Sequence, residues 1–208
     1  MSQLIAVKNT NGIVVAADSK ALDSDTYGNI TEYSINRLIK LSDHTAILAG
    51  GAVAGENMCR ALKEFISEER LLDVEAVYTA ALPFLASEYQ QFMRKSCEVL
   101  PLDPIHHIHF ILAGYSGKNI RNPFQLYLLW TKKKRPQLDG DEITSAFCVP
   151  RLIRLEHSLN QMAHSDAPLE KIYTEVRLGM EKQADIQEDV AGPMAYAMIT
   201  RDGFQRKE

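Results

Sequence analysis

The order of elements along the chain predicts an α+β protein in which antiparallel sheets stack face to face with helices outside them. Three observations carry that expectation. A block of short apolar runs separated by turn chemistry comes first; a pair of segments with helical periodicity follows; and the same alternation of strands and a helix pair repeats before a last strand. A doubly wound protein would instead alternate single strands with single helices.

Residues 4–7 and 13–17 are apolar runs on either side of Asn11-Gly12, a pair suited to the positive φ angles of a tight hairpin turn. A polar loop over residues 23–32 leads to Leu38, Ile39 and Leu41, and the Ser42-Asp43 turn returns the chain through residues 45–49. Gly50 and Gly51 end this second pair of strands. From Val53 the period changes: Met58, Leu62, Phe65 and Ile66 fall on one helical face, with Glu56, Arg60, Lys63, Glu64 and Glu68 on the other. Asp73 is placed to cap a second helix with the stripe Val74, Val77, Ala81, Leu85 and Phe92, in which Pro83 predicts a kink. Strands resume at residues 108–113 and 124–130. A third helix is expected over residues 151–162, and Asp166 with Pro168 opens a fourth through Ile172, Val176 and Met180. A strand at residues 194–200 and an Asp202-Gly203 turn close the chain.

With 208 residues, 46% of them hydrophobic, the chain can bury roughly 70% of its unfolded surface without staples. It reads as a single domain over residues 1–208, because the best candidate boundary, residues 99–104, is too short to demand two. Cys59, Cys97 and Cys148 are odd in number and widely spaced, which argues for a reducing, cytoplasmic setting. A net charge of −4 lacks the basic excess that nucleic acid requires. The one basic run, Lys132-Lys133-Lys134-Arg135, reads as a solvated hairpin tip. No apolar run reaches the roughly 18 residues of a membrane span, and the first residues do not form a basic leader and apolar block.

The chemistry starts at the second residue. Removal of Met1 would leave Ser2 with a free α-amine beside its own hydroxyl, a nucleophile and a base in one residue. An α-amine with a reference pKa of roughly 7.7–8.0 suits proton acceptance at neutral pH.

Ser2, the Asn-Gly hairpin, Ala16-Ala17-Asp18-Ser19-Lys20, Arg37-Leu38-Ile39-Lys40-Leu41 and Ala49-Gly50-Gly51-Ala52 follow one another in a fixed order. In that order the chain resembles the β-type subunits of proteasomes, members of the N-terminal-nucleophile (Ntn) hydrolases. The likeness extends to Ile111-Leu112-Ala113-Gly114-Tyr115, which looks like the family's central strand, and to the last strand and turn from Ala191-Gly192-Pro193 to Asp202-Gly203. It implies a four-layer αββα sandwich, two stacked antiparallel sheets flanked by helix pairs. It places Ser2 on the family's N-terminal threonine, Asp18 on its active-site aspartate, Gly50 on its oxyanion glycine and Arg37 on its lysine. Several positions depart from the pattern. Arginine keeps the charge but does not shuttle a proton. Leu22 stands for a substrate-holding threonine, Cys148-Val149-Pro150 for a Gly-Ser-Gly, and Gln187 and Val190 for an aspartate and a serine, with Asp185 and Asp189 nearby.

The resemblance implies a peptidase acting on polypeptides in protein degradation, without cofactor or metal, within a homo-oligomeric ring or stacked rings that an ATP-dependent unfoldase could serve. The stripe Val77, Ala81, Leu85 and Phe92 is expected to supply apolar area for that assembly. The alternative is a catalytically inactive subunit with an assembly role. A third reading starts from His106-His107-Ile108-His109, where His107 and His109 share one strand face. No neighbouring carboxylate or thiol completes a metal site, so they are expected to be partly exposed and to make pH-sensitive contact with a neighbouring subunit.

Overall fold

Alternation along each strand decides which layer its apolar side chains join. The computed structural model describes residues 2–24, 29–97, 107–131 and 138–207. Strands β1 (Leu4–Asn9) and β2 (Gly12–Ala17) form the expected hairpin, and both are buried on two faces. Leu4, Ala6, Ile13, Val15 and Ala17 point one way; Ile5, Val7, Val14 and Ala16 point the other.

The first sheet has the order β10-β1-β2-β11-β12, with β10 (Ala146–Val149), β11 (Ala195–Thr200) and β12 (Gly203–Lys207). The second runs β5-β6-β7-β8-β9, built from β5 (Leu38–Ser42), β6 (Thr45–Gly51), β7 (Ile108–Tyr115), β8 (Phe124–Thr131) and β9 (Leu138–Ile143). Every described pairing in both sheets is antiparallel. Between the sheets, Leu4, Val15 and Ile199 meet Leu48, Ile111, Phe124 and Leu126. Helices α1 (Ala54–Glu68) and α2 (Val74–Cys97) cover the outer face of the second sheet, and α3 (Ile153–His164) with α4 (Leu169–Ile186) covers the first. The layers are therefore αββα, as expected.

Three features differ from the sequence-based expectation. The polar loop expected over residues 23–32 overlaps a separate antiparallel pair, β3 (Lys20–Ser24) and β4 (Ile30–Ser34); β4 is exposed throughout, which masks the period-two signal. The strands β9, β10 and β12 were not foreseen, because each is short and partly exposed. The third helix starts two residues later than its periodicity suggests: Glu156 holds the preceding chain through the Cys148 N–H (3.1 Å) and the Arg151 Nε (2.7 Å).

Helix α2 runs through Pro83 as one element, and Asp73 caps it by accepting the Glu75 N–H at 3.1 Å. Its stripe does not serve assembly as expected. Val77, Ala81 and Leu85 are fully buried against the chain's own second sheet, and Phe92 packs at the edge of that same core. Of the other readings, the boundary at residues 99–104, the basic run at residues 132–135, and His106 lie outside the described residues. Among the described residues no helix is long and apolar enough to cross a membrane.

Candidate active site

One end of the sandwich brings together the start of β1, the end of β2, the start of β5 and the end of β6. Pairing of β1 with β2 sets Leu4 opposite Ala17, so the next residues outward, Gln3 and Asp18, meet beyond the last rung. There the Gln3 N–H donates to Asp18 Oδ1 at 2.8 Å, and the Asp18 N–H returns a bond to Gln3 O at 3.2 Å. Gln3 Nε2 also reaches Pro150 O at 3.2 Å, tying this end of β1 to the chain after β10. Ser2, two residues before Leu4, shares its parity and faces the gap between the sheets.

Ser2 Oγ accepts the N–H of Gly51 at 2.8 Å. Strand geometry explains why Gly51, and not Gly50, is the donor. Along β6 successive N–H groups point to opposite edges: Ala49 donates to Arg37 O on the β5 side, and Ala52 to His107 O on the β7 side. Gly51 has the parity of Ala49 but lies beyond the first residue of β5, Leu38, so its N–H is open to Ser2. Gly50 has the parity of Ala52 and is paired with His109. Its contribution is the side chain it lacks, since a Cβ there would sit 3.0 Å from both Ser2 Oγ and Leu4 Cδ1.

Beside this lies an ion pair. Arg37 Nε is 3.5 Å from Asp18 Oδ1, and both residues are buried. Arg37 also donates to Lys20 O at 2.8 Å and to Ala49 O at 3.5 Å. Desolvation lifts the Asp18 carboxyl to about 6, against the pull of Arg37 and of the Gln3 N–H. Burial likewise lowers the Arg37 guanidinium pKa, and Asp18 opposes that shift. Of the buried side-chain polar atoms left without a hydrogen bond among the described residues, four cluster here: Gln3 Oε1, Asp18 Oδ2, Ser19 Oγ and Arg37 Nε. Polar groups are normally satisfied when buried, so such a concentration marks a place organised for something other than stability.

Ser2, Arg37 and Gly51 open into a cleft of about 880 Å³ that continues the space between the sheets. Its walls include Leu22, His107, His109, Trp130, Phe147 and Val149. His107 and His109 thus sit in the wall of the cleft that holds Ser2. Among the described residues no group of His, Cys, Asp or Glu could hold a metal ion. Cys148 also lines the cleft, but burial pushes its thiol up to about 12, so it is no rival nucleophile at neutral pH. The remaining departures from the family pattern are apolar or turned aside: Val190 is fully buried, and Gln187 bonds Gln183 within its own segment. Asp189 lines the cleft.

Sequence reasoning singled out Ser2, Asp18, Arg37 and Gly50, and the fold brings all four to one end of the sandwich. It missed Gly51 and the cleft position of His109. Strand parity after the Ala49-Gly50-Gly51 run carried the first signal, and the shared face of His107 and His109 carried the second.

No model of a known protein family matches the chain, and no curated protein matches it in sequence. Among solved structures it is similar to Anbu (ancestral beta-subunit) from Yersinia bercovieri, with 13% sequence identity and a TM-score of 0.69 over 98% of this chain and 86% of that chain. At that identity the likeness speaks for the fold alone, and with the layer order it gives the chain an αββα sandwich of the Ntn-hydrolase type.

Proposed function

We propose that the chain is a peptidase subunit that hydrolyses amide bonds with Ser2 as N-terminal nucleophile once Met1 is removed. The observation that carries this reading is the placement of Ser2 Oγ on the floor of the cleft, bonded by the Gly51 N–H and flanked by the buried Asp18–Arg37 pair. In acylation the Ser2 oxygen attacks the scissile carbonyl while its proton passes to the α-amine. The oxyanion forms near Gly51, whose N–H is already aimed at the nucleophile, beside the Gly50 backbone that admits the carbonyl. Collapse expels the leaving amine, which takes the proton from the ammonium, and leaves an ester on Ser2. Water then hydrolyses the ester. The Arg37 charge disfavours a protonated amine nearby and so raises the fraction of free base at neutral pH. Asp18 holds Arg37 in place.

The substrates are polypeptides, taken in extended form into a cleft lined mainly by apolar side chains. The site is cytoplasmic and enclosed in a homo-oligomeric ring or stacked rings, with an ATP-dependent unfoldase as feeder. The assembly surface is the β3–β4 hairpin, where Leu22, Ile30 and Tyr33 are exposed and all of β4 is uncovered. A two-stranded hairpin is marginal alone, so a neighbouring copy is its natural cover.

Arg37 also favours a second reading. Its guanidinium is spent on Lys20 O, Ala49 O and Asp18, which is what a retained structural residue in an inactive subunit would do. Hydrolysis of a peptide-amide library by wild type and by Ser2→Ala separates the two. The peptidase reading expects activity that Ser2→Ala abolishes with assembly intact; an inactive wild type supports the structural subunit.

A further inference from the structure

The apolar packing between the sheets stops before the sheets do. On β8, Leu126 is fully buried, but Leu128 and Trp130, two and four residues further along the same face, are only half-buried. On β10, Phe147 and Val149 pack against the same inter-sheet core from the first sheet and are half-buried too. All four line the arm of the cleft that runs from Ser2 toward the β10 edge. Large apolar side chains left partly bare inside a groove offer area to an apolar group of a ligand.

Arg151 stands on the wall of this arm. Its guanidinium lies 5.0 Å from the centre of the Phe147 ring; its Nε donates to both oxygens of Glu156 at 2.7 Å, and Nη2 pairs with Oε2. The Glu156 side chain is 4% exposed and also accepts the Cys148 N–H, so the clamp is fixed to the sheet edge. Nη1 bonds nothing among the described residues, and the Arg151 side chain is 62% exposed. A planar guanidinium held along one edge presents its other edge to a second carboxylate. The other cations of the cleft are committed: Lys20 pairs with Glu32 at 2.8 Å, and Arg37 is buried against Asp18. Leu4 of β1 stands opposite Val149, and the bond from Gln3 Nε2 to Pro150 O carries that alignment one residue outward, which brings Arg151 level with Ser2. Adjacent strands lie about 4.7–4.9 Å apart and an extended residue spans roughly 3.3–3.6 Å, so the stretch from nucleophile to guanidinium is of the order of one residue.

We propose that this arm binds the last residue of a peptide, with its α-carboxylate on Arg151 and its large apolar side chain between Trp130 and Phe147. The bond then presented to Ser2 is the last peptide bond, a consequence that rests on the reading of Ser2 as nucleophile. Attack of Oγ on that carbonyl carbon breaks the C–N bond, and the amine of the last residue takes the proton. A free amino acid leaves, and the shortened peptide stays as an ester on Ser2 until water hydrolyses it.

Trp130 is the only tryptophan of the chain, so its emission reports occupancy of the arm. The test is a fluorescence titration of Ser2→Ala, used so that the ligand is not consumed. Acetyl-Gly-Gly-Leu with a free C-terminus is expected to shift that emission and to bind about 10-fold or more tighter than its C-terminal amide. Acetyl-Gly-Gly-Gly, lacking the side chain, should bind about 10-fold more weakly than the leucine acid. Acetyl-Gly-Gly-Glu amide, whose carboxylate is on a side chain, should bind no better than the leucine amide. Adding Arg151→Gln should erase the preference for acid over amide, and Arg151→Lys should keep part of it. Equal affinity for acid and amide, equal affinity for the glycine and leucine acids, or an acid preference that survives Arg151→Gln overturns the proposal. The first two comparisons need no change at Arg151 and decide even where that variant does not fold. Release of free leucine by the chain that begins at Ser2 then separates the two readings. Acid-selective binding without release brings down the reading of Ser2 and leaves the carboxylate site standing; cleavage that shows no preference for the acid brings down the site and leaves the nucleophile standing.

Discussion

Asp18 is fully buried, and burial lifts its carboxyl to about 6 although Arg37 and the Gln3 N–H pull the other way. A folded-state pKa above the ordinary 3.8 means that the contribution of Asp18 to stability is complete below about pH 4 and is lost as the pH rises through about 6. Activity has the opposite slope, since only the anion anchors Arg37 as a charged partner. We expect peptidase activity to rise through pH 6 while the stability difference between wild type and Asp18→Asn falls over the same range. Thermal unfolding of both proteins at pH 4, 5, 6 and 7, beside the rate profile, checks this, and parallel slopes would refute it. Arg37 gives a second test. Arg37→Met should cut the rate by about 10²- to 10⁴-fold, the range of a removed electrostatic or acid–base contributor, and should raise the Asp18 pKa further. Arg37→Lys should retain or raise activity, because the charge survives and a transferable proton is added. Steady-state rates of the two variants decide the matter, and two unchanged rates would show that Arg37 has no catalytic part.

Helix α2 and the β3–β4 hairpin exchange the roles that sequence patterning assigns them. The α2 stripe looks like surplus apolar area, yet Leu85 is fully buried in the core over the second sheet. Leu85→Ala should therefore cost about 2–5 kcal/mol of folding stability at every protein concentration, as seen by denaturant unfolding. The hairpin looks like a polar loop, yet it exposes Ile30 and Tyr33. Ile30→Asp should weaken self-association with little change in the stability of the fold. Sedimentation of wild type and variant tests this, and a wild type that stays a 23.4 kDa monomer at micromolar concentration would contradict the assembly. What was legible at this scale follows from burial. β2 is buried throughout and β1, β6 and β7 over most of their lengths, and all four read as largely apolar runs, whereas β4 is exposed throughout and carries no such signal. In the site, Ser2, Asp18 and Arg37 were legible through the resemblance to proteasome β-type subunits, which the ordered motifs of the first fifty residues carry. Gly51 was not, because choosing between two adjacent glycines requires knowing where β5 begins.

At the scale of the whole molecule, the stacking of two sheets creates the site. The inter-sheet core of Leu4, Leu48, Ile111 and Leu126 gives way at one end to a cleft walled by His109, Leu128, Trp130 and Phe147. The first strand delivers Ser2 to its floor, and the ends of β2, β5 and β6 deliver the ion pair and the Gly51 N–H. The chain departs from the proteasome-like pattern at Val149, Gln187 and Val190, and the groups it keeps at this end of the sandwich, Ser2, Asp18 and Arg37, are those fixed by strand register. The proposed function turns on the chemical state of Ser2. Its most direct test is the mass of the N-terminal fragment from protein made in its own host, after brief exposure to an activated peptide ester and acid quench. A nucleophilic Ser2 gives a fragment that begins at Ser2 and carries one acyl group on that residue. A fragment that keeps Met1, or one that begins at Ser2 and stays unacylated while acyl groups appear elsewhere, would contradict it.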